Sequence, residues 1–228
     1  MKKVKFECIN ELLKGALVKA CKLNGIDNQL SKGLCKALGA TLESQDDDTR
    51  TGAAIICEGW AEVVSGCNAF IGNNKEAFPT TRQGETPVNT EYPYVVHAEE
   101  RAVKNFLQRV HELQDKEAKR TMVCTLFPCN ECMKDVVDAG ITELIYIVND
   151  RPNACCSIEA KKIAEACGVK LTSAEEAFGK DTVHLVELAF AGLKDELSEA
   201  IANIEKRGEA EETQAYINLI EAPEVDED

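Results

Sequence analysis

Two short stretches, His97-Ala98-Glu99 and Pro128-Cys129-Asn130-Glu131-Cys132, decide the fold and the chemistry that we predict for this chain of 228 residues. One imidazole and two thiolates form a ligand set that zinc prefers. Three protein ligands are typical of a catalytic zinc site, in which water takes the fourth position, whereas a structural site closes with a fourth side chain. The sequence therefore predicts a catalytic zinc site with His97, Cys129 and Cys132 as ligands.

The position of Glu99 predicts the reaction at that site. H-x-E combined with P-C-x-x-C is the spacing of zinc-dependent nucleobase deaminases. Glu99 follows His97 by two residues, so its carboxylate can reach the attacking water without being a ligand. We predict that it takes a proton from that water and gives protons to the ring nitrogen and to the departing ammonia. Cys124 is the nearby candidate for a fourth, structural ligand, but its place inside a predicted strand favours the core.

Composition narrows the possible partners. Acidic residues outnumber basic residues 40 to 26, which gives a formal net charge of −14. A protein that binds polymeric nucleic acid needs a basic face, so we expect a small-molecule partner and disfavour polymeric nucleic acid. No apolar run approaches the roughly 20 residues of a membrane span, so no membrane partner is expected. Eleven cysteines and an N-terminus unlike a secretory signal favour a reducing compartment, and we expect a cytoplasmic protein.

The pattern of apolar residues predicts an α/β fold. Strands alternate with helices in the second half of the core, which is typical of a sheet with parallel neighbours and right-handed crossovers. The predicted elements are two helices within 8–42, strands at 52–57 and 61–66, a long irregular loop at 68–94, a helix at 97–113, a strand at 122–127, a helix at 130–139, a strand at 143–148, a helix at 157–167 and a strand at 169–172.

We divide the chain into three segments. Residues 1–43 form an N-terminal helical segment packed on the core, residues 44–173 form the zinc-binding core, and residues 174–228 form a C-terminal helical extension. In the extension we predict one helix over about 182–206 and a disordered acidic tail at the end. Two roles stay open for this extension: it mediates oligomerisation, or it packs on its own domain.

Four segments resemble the deoxycytidylate (dCMP) deaminase family of the zinc-dependent cytidine-deaminase-like superfamily. They are Thr90-Glu-Tyr-Pro-Tyr-Val-Val-His-Ala-Glu99, Leu126-Phe-Pro-Cys-Asn-Glu-Cys132, the stretch from Ser44 to Ile56, and Gly66-Cys-Asn68-Ala69. The resemblance covers roughly residues 40–172. It implies a three-layer α/β/α fold around a five-stranded mixed sheet, with the N-terminal helices and the C-terminal extension beside it.

The same resemblance implies a specific activity. It implies hydrolytic deamination of dCMP to dUMP, which supplies thymidylate synthesis, by a homo-oligomer (a dimer or a hexamer) that an allosteric nucleotide with magnesium regulates. Asn68 is expected to contact the sugar of the substrate, and the Ser44–Thr51 loop, with Arg50, is expected to lie near its phosphate. The remaining predicted substrate contacts are Ser44, Ala98, Tyr94 and Pro128.

Three other functions stay open. The chain departs from the pattern of the family at Gln45, at Arg101 and at residues 149–153. The first alternative is therefore that the substrate is another free cytosine nucleoside or nucleotide, such as dCTP. A nucleic-acid-editing deaminase would use the same zinc ligands, but it would require a basic surface. A non-catalytic zinc-binding interaction protein would have no use for the proton carrier Glu99.

Overall fold

The computed structural model describes residues 11–112 and 117–221. Its strands are β1 (Gly52–Cys57), β2 (Val64–Cys67), β3 (Ala69–Phe70), β4 (Val95–Val96), β5 (Arg120–Leu126), β6 (Glu143–Val148) and β7 (Lys170–Ser173). Five of them form one central sheet in the order β2-β1-β5-β6-β7, and β3 pairs with β4 in a separate two-stranded sheet.

The central sheet is mixed. β1 is antiparallel to both of its neighbours, β2 and β5, whereas β5, β6 and β7 run parallel to one another. A helix joins each pair of consecutive parallel strands, as parallel pairing requires. All six residues of β1 are buried, as expected for an apolar strand at the centre of a covered sheet. The parallel half that strand–helix alternation predicts is therefore confirmed.

The helices lie on both faces of this sheet. They are α1 (Glu11–Leu23), α2 (Asn28–Ala40), α3 (Ala98–Leu107), α4 (Asn130–Asp138), α5 (Cys155–Cys167), α6 (Ala174–Phe178), α7 (Lys180–Ala191) and α8 (Lys194–Glu221). One face is covered by α3, α4 and α5, which share an apolar cluster with the strands. The other face is covered by α2 and α6, and α1, α7 and α8 pack outside them. The predicted three-layer α/β/α fold is confirmed.

Local sequence explains several helix ends. The Asp27 side chain caps α2 by accepting hydrogen bonds from the amides of Gln29 and Leu30, at 2.7 and 3.3 Å. The helix predicted over 97–113 ends at Leu107 and is followed by a 3-10 turn at Val110–Glu112, while residue 113 lies outside the described residues. None of the described helices is both long enough and apolar enough to cross a membrane.

The C-terminal extension differs from the prediction of one helix over about 182–206. Gly192 separates α7 from α8, because its φ of 69° lies in the left-handed region that ends a helix. Both helices pack on α1: Leu185 and Ile201 are buried in the same apolar cluster as Leu17. The described part of the extension therefore packs on its own domain. The predicted disordered tail begins at Glu221, which is the last residue of α8, and its other residues, 222–228, lie outside the described residues.

Candidate metal centre

The two zinc motifs lie at the starts of two neighbouring helices. His97 is the N-cap residue of α3, and Cys129 is the N-cap residue of α4, three residues beyond Leu126, the last residue of β5. Neither side chain caps its own helix, so both are available for other contacts. Cys132 lies in the first turn of α4 and is buried, with 2% of its surface exposed. Because α3 packs on α4, the two helix starts meet at one point.

The three predicted ligands form one cluster. Their ligand atoms all lie within 4.8 Å of one another. The His97 Nδ1 atom lies 3.2 Å from Sγ of Cys132 and 3.6 Å from Sγ of Cys129. A tetrahedral zinc ion, with Zn–N of about 2.0 Å and Zn–S of about 2.3 Å, places such atoms about 3.5 Å apart. The distances and the donor set therefore both fit zinc.

Cys124 is not part of this cluster. Its thiol is buried in the core and donates a hydrogen bond to the carbonyl oxygen of Ile145 at 3.5 Å. Burial raises the pKa of the Cys124 thiol well above its usual value, so it resists becoming a thiolate ligand. Within the described residues, the cluster has three ligands and no fourth side chain to close it.

The electrostatics of the cluster favour a cation. A hydrogen bond from the Cys132 thiol, and a second one from His97, lower the pKa of Cys129 to about 3. The hydrogen bond to Cys129 in turn raises the pKa of Cys132, because a second thiolate would be repelled by the first. The hydrogen bond to Cys129 also raises the pKa of His97 to about 9. A divalent cation among these groups would let both thiols ionise and the imidazole lose its proton.

Glu99 lies in the first turn of α3 with 6% of its surface exposed. Burial raises the pKa of its carboxyl group, so the group holds a proton more readily than it does in water. Glu99, His97 and Cys129 line the same cavity, which has a volume of about 210 Å³ and which we call the cluster cavity. A carboxyl group in this position can accept and return protons beside the metal ligands.

Two of the predicted substrate contacts, Asn68 and Pro128, line the cluster cavity. Among the described residues, Ser44, Arg50, Tyr94 and Ala98 lie outside its lining. The hydroxyl of Ser44 donates a hydrogen bond to Asn68 Oδ1 at 2.7 Å. Tyr94 stacks on Phe78 with ring centroids 4.6 Å apart. The predictions for these residues as substrate contacts stay untested, and the contacts of Ser44 and Tyr94 show how those two hold the loops around the cavity.

A buried polar network forms one wall of the cluster cavity. The Asn68 side chain accepts from the amide of Thr51 at 2.7 Å and donates to Asp46 Oδ2 at 3.2 Å. Arg82 donates to Asp46 Oδ2 at 2.9 Å and to Glu91 Oε1 at 2.6 Å. Asp46 and Glu91 are each 5% exposed, so these charge-assisted bonds are shielded from water and fix the wall in place.

Several cavity residues are not among the predicted site residues. The segment between β6 and the first turn of α5 contributes four of them, and the loop before β4 contributes two; they are Asp150, Arg151, Cys156, Ser157, Glu91 and Tyr92. A parallel sheet places the ends of β5 and β6 side by side, which makes the β6–α5 connection a natural neighbour of Cys129. That topological argument could have found Arg151 and its neighbours from the sequence.

Residues 27–148, more than half of the chain, match the family described as "Cytidine and deoxycytidylate deaminase zinc-binding region". The match includes all three residues of the metal cluster and Glu99. The chain belongs to this family. The family and the His/Cys/Cys cluster together identify zinc as the metal of the site, and the resemblance drawn from the four sequence segments is confirmed.

Two relatives by sequence are both named for deoxycytidylate deaminase. The chain is 31% identical over 128 residues to deoxycytidylate deaminase of Homo sapiens, which covers 55% of this chain and 68% of the human protein. It is 29% identical over 143 residues to a probable deoxycytidylate deaminase of Drosophila melanogaster, covering 60% and 68% of the two chains. Among solved structures, the chain is similar to dCMP deaminase of the cyanophage S-TIM5 in complex with dCMP and dUMP. The two are 18% identical with a TM-score of 0.45, and the match covers 65% of this chain and 98% of that chain.

Proposed function

We propose that this chain is a zinc-dependent deaminase that hydrolyses dCMP to dUMP and ammonia. The observation that carries the proposal is the approach of His97, Cys129 and Cys132 within 4.8 Å of one another, with Glu99 in the same cavity. This arrangement combines three metal ligands with an adjacent proton carrier. The relatives named deoxycytidylate deaminase support dCMP as the substrate.

The residues of the cluster divide the chemistry among them. His97, Cys129 and Cys132 hold the zinc ion, which supplies the Lewis acidity that makes water a nucleophile near neutral pH. Glu99 takes a proton from the attacking water and delivers it to the ring nitrogen next to the amine-bearing carbon. After the water oxygen has bonded to that carbon, Glu99 takes the remaining proton from that oxygen and delivers it to the amine; the carbon–nitrogen bond breaks, ammonia leaves, and the carbon–oxygen bond becomes the carbonyl of uracil. The net reaction converts the cytosine base and one water molecule into the uracil base and one molecule of ammonia.

The proposal has further parts that rest on the family likeness. We expect a homo-oligomer in the cytoplasm that takes part in pyrimidine metabolism, with an allosteric nucleotide and magnesium as effectors. The division into segments 1–43, 44–173 and 174–228 belongs to the proposal as well. It is supported by the packing of α1, α7 and α8 outside the sheet and its covering helices.

Replacing Glu99 tests the mechanism. Glu99→Gln keeps the shape of the side chain but removes its ability to carry protons, so we expect one zinc per chain to be retained and ammonia release from dCMP to fall by at least about 10²–10⁴-fold. Zinc is measured by metal analysis of the purified protein. Glu100→Gln is the matched control, because Glu100 forms an exposed ion pair with Lys104 in the same helix and lies outside the cavity lining, so the change should leave turnover unchanged. Full activity of the Glu99 variant would contradict the mechanism.

A further inference from the structure

Two loops contribute to the lining of the cluster cavity. One loop, at 44–51, lies before β1, and the other, at 71–94, lies between β3 and β4. Each provides three lining residues, which are Asp46, Thr49 and Thr51 from the first loop and Arg82, Glu91 and Tyr92 from the second. Among the described residues, no main-chain hydrogen bond joins the two loops, so contacts between their side chains set how they lie at the cavity.

The guanidinium of Arg82 connects the two loops inside the lining. Its Nη2 atom donates to Oδ1 and Oδ2 of Asp46 at 3.2 and 2.9 Å, and its Nη1 atom donates to Thr49 Oγ1 at 3.1 Å. Its Nε atom donates to Glu91 Oε1 at 2.6 Å, within its own loop. Because a guanidinium is planar and rigid, these bonds fix the direction as well as the distance between the loops. The two carboxylates are each 5% exposed, so water competes little for the same bonds.

The effect of this connection extends to Asn68. The Asn68 side chain donates to Asp46 Oδ2 at 3.2 Å and to the carbonyl oxygen of Thr49 at 2.8 Å. Its oxygen accepts from the hydroxyl of Ser44 and from the amide of Thr51, each at 2.7 Å. An amide side chain has two donor and two acceptor positions, so all four are filled from one loop. The orientation of Asn68 at the cavity therefore depends on the loop that the guanidinium holds.

Other side chains join the same two loops outside the cavity. Lys75 Nζ lies 2.6 Å from Asp47 Oδ2, and the side chain of Asp47 is 75% exposed. The side-chain amide of Gln45 donates to the carbonyl oxygen of Asn73 at 3.2 Å, also at an exposed position. None of these four residues lines the cavity. Exposed pairs contribute little, so the shielded bonds of Arg82 are the ones that hold the lining in place.

We propose that Arg82 is a positioning residue for the deamination. It acts through Asp46 and Glu91, holding both loops, and with them Asn68, in the arrangement that receives the nucleotide. The inference rests on the proposed function and goes beyond it by assigning a role to a residue outside the metal cluster. Because each nitrogen of Arg82 is bonded to the protein, the residue contributes to substrate binding through the loops rather than to the proton transfers of Glu99.

Steady-state kinetics of the zinc-loaded enzyme with dCMP test this role. We expect Arg82→Gln to raise KM by about 10- to 100-fold, the loss of hydrogen bonds to charged groups. We expect kcat per zinc-containing chain to change less than about threefold, because the lost interactions are remote from the reacting atoms. A purely structural role would lower the fraction of folded enzyme, and with it the apparent kcat, without changing KM. Lys75→Gln is the matched control: it removes an exposed ion pair between the same loops, and KM should change less than about twofold.

Two further variants separate positioning from folding. Arg82→Gln leaves buried carboxylates without a cation, which destabilises the chain. Adding Glu91→Gln to that variant removes one of these charges, and we expect it to restore stability in urea denaturation while KM stays raised. Arg82→Lys keeps the charge but lacks the planar group that reaches both loops, so we expect it to fold, to bind zinc and to have a raised KM.

The outcomes separate this inference from the proposed function. Wild-type KM in a folded, zinc-loaded Arg82→Gln or Arg82→Lys variant would overturn the positioning role. Recovery of both stability and KM in the double variant would also overturn it, because Arg82 would then only compensate charge. Failure of all three variants to fold would assign Arg82 to folding alone and overturn it as well. Failure of the wild-type enzyme to release ammonia from dCMP would overturn the proposed function, and the positioning role with it.

Discussion

The two ends of the central sheet differ in how their ionisable groups are arranged. The cluster cavity, of about 210 Å³, lies at the carboxyl end of β5. A larger cavity, of about 810 Å³, lies at the amino ends of β5, β6 and β7, where α2 and α6 form its walls. If cavity volume alone located the chemistry, the larger cavity would be the candidate.

The two ends of the sheet differ in how their charged groups are paired. At the amino ends, Glu143 accepts hydrogen bonds from Lys119 at 2.8 Å, Lys170 at 3.1 Å and Thr172 at 3.0 Å. At the carboxyl end, two thiols and an imidazole crowd together beside a buried carboxyl group, an arrangement that can hold a metal ion. Ionisable groups paired on an open surface support the fold, whereas a crowded group of possible metal ligands with strongly shifted pKa values indicates a functional site.

Removing one zinc ligand, at the carboxyl end of the sheet, should have the largest effect on turnover of all the changes at the two ends. Cys132→Ser replaces a thiolate ligand with a hydroxyl, so we expect zinc content to fall below about a tenth of an ion per chain. We expect turnover to fall by more than about 10⁴-fold, because the metal would lower the pKa of its bound water toward neutrality. Metal analysis and ammonia release measure the two effects.

Cys124→Ser is the matched control for that change. Cys124 is equally buried, but its thiol bonds to a backbone carbonyl in the core. We expect it to keep zinc and turnover and to lose about 1 kcal/mol of stability at most, because serine retains the donor. Loss of zinc from the Cys124 variant would show that the ligand set has been assigned wrongly.

Gly66 tests whether the position of α3 determines the site. A methyl group at Gly66 would lie 2.5 Å from the amide nitrogen of Ala102 and 2.9 Å from the carbonyl oxygen of Ala98, both in the backbone of α3. Gly66→Ala must therefore shift the helix that begins at His97. We expect a loss of about 1–3 kcal/mol in the free energy of unfolding, measured by urea denaturation, together with weaker zinc binding.

Gly39→Ala is the control for Gly66→Ala. Gly39 lies inside α2, and a methyl group there meets no atom within 4 Å. We expect a gain of about 0.4–1 kcal/mol, because alanine has the better helix propensity and restricts the unfolded chain. Zinc binding should be unaffected. Equal behaviour of the two variants would show that the close contact between β2 and α3 is unimportant.

Replacing Glu143, at the amino end of the sheet, should have the smallest effect, and it should change only the free energy of unfolding. Burial acts to raise the pKa of Glu143, but hydrogen bonds from Lys119, Lys170 and Thr172 outweigh it and lower the pKa to about 2. The ionised group therefore stabilises the fold above its unfolded pKa of about 4.3, and this contribution is lost as pH falls toward 2. Glu143→Gln should cost about 1 kcal/mol at pH 7 and progressively less below about pH 4, with turnover unchanged. A cost independent of pH would refute the assigned cause.

The sequence was most informative where chemistry and periodicity agree. The spacing of His97, Cys129 and Cys132 identified the residues that the structure brings together, because each motif follows a loop or strand and begins a helix. Strand bounds at 52–57 and 143–148 matched because uninterrupted apolar runs mark buried strands.

Contacts between residues far apart in the chain could not be predicted from the sequence. The pairing of Arg82 with Asp46 and Glu91 joins residues that are 36 and 9 positions apart, and no local pattern shows it. Ser157 has no motif of its own, and its place in the cavity follows from the alignment of β5 with β6. Gly192 was not identified as a helix end, because helical apolar spacing continues on both sides of it.

Ammonia release from cytosine compounds by the zinc-loaded wild-type enzyme tests the central claim most directly. Cytosine, cytidine, deoxycytidine, CMP, dCMP and dCTP are assayed in parallel at equal concentrations. Our account predicts release from dCMP with the highest kcat/KM of the six. Release from none of them, by protein that carries one zinc per chain, would contradict the account and favour a non-catalytic zinc protein. A clear preference for deoxycytidine or dCTP would contradict dCMP as the substrate.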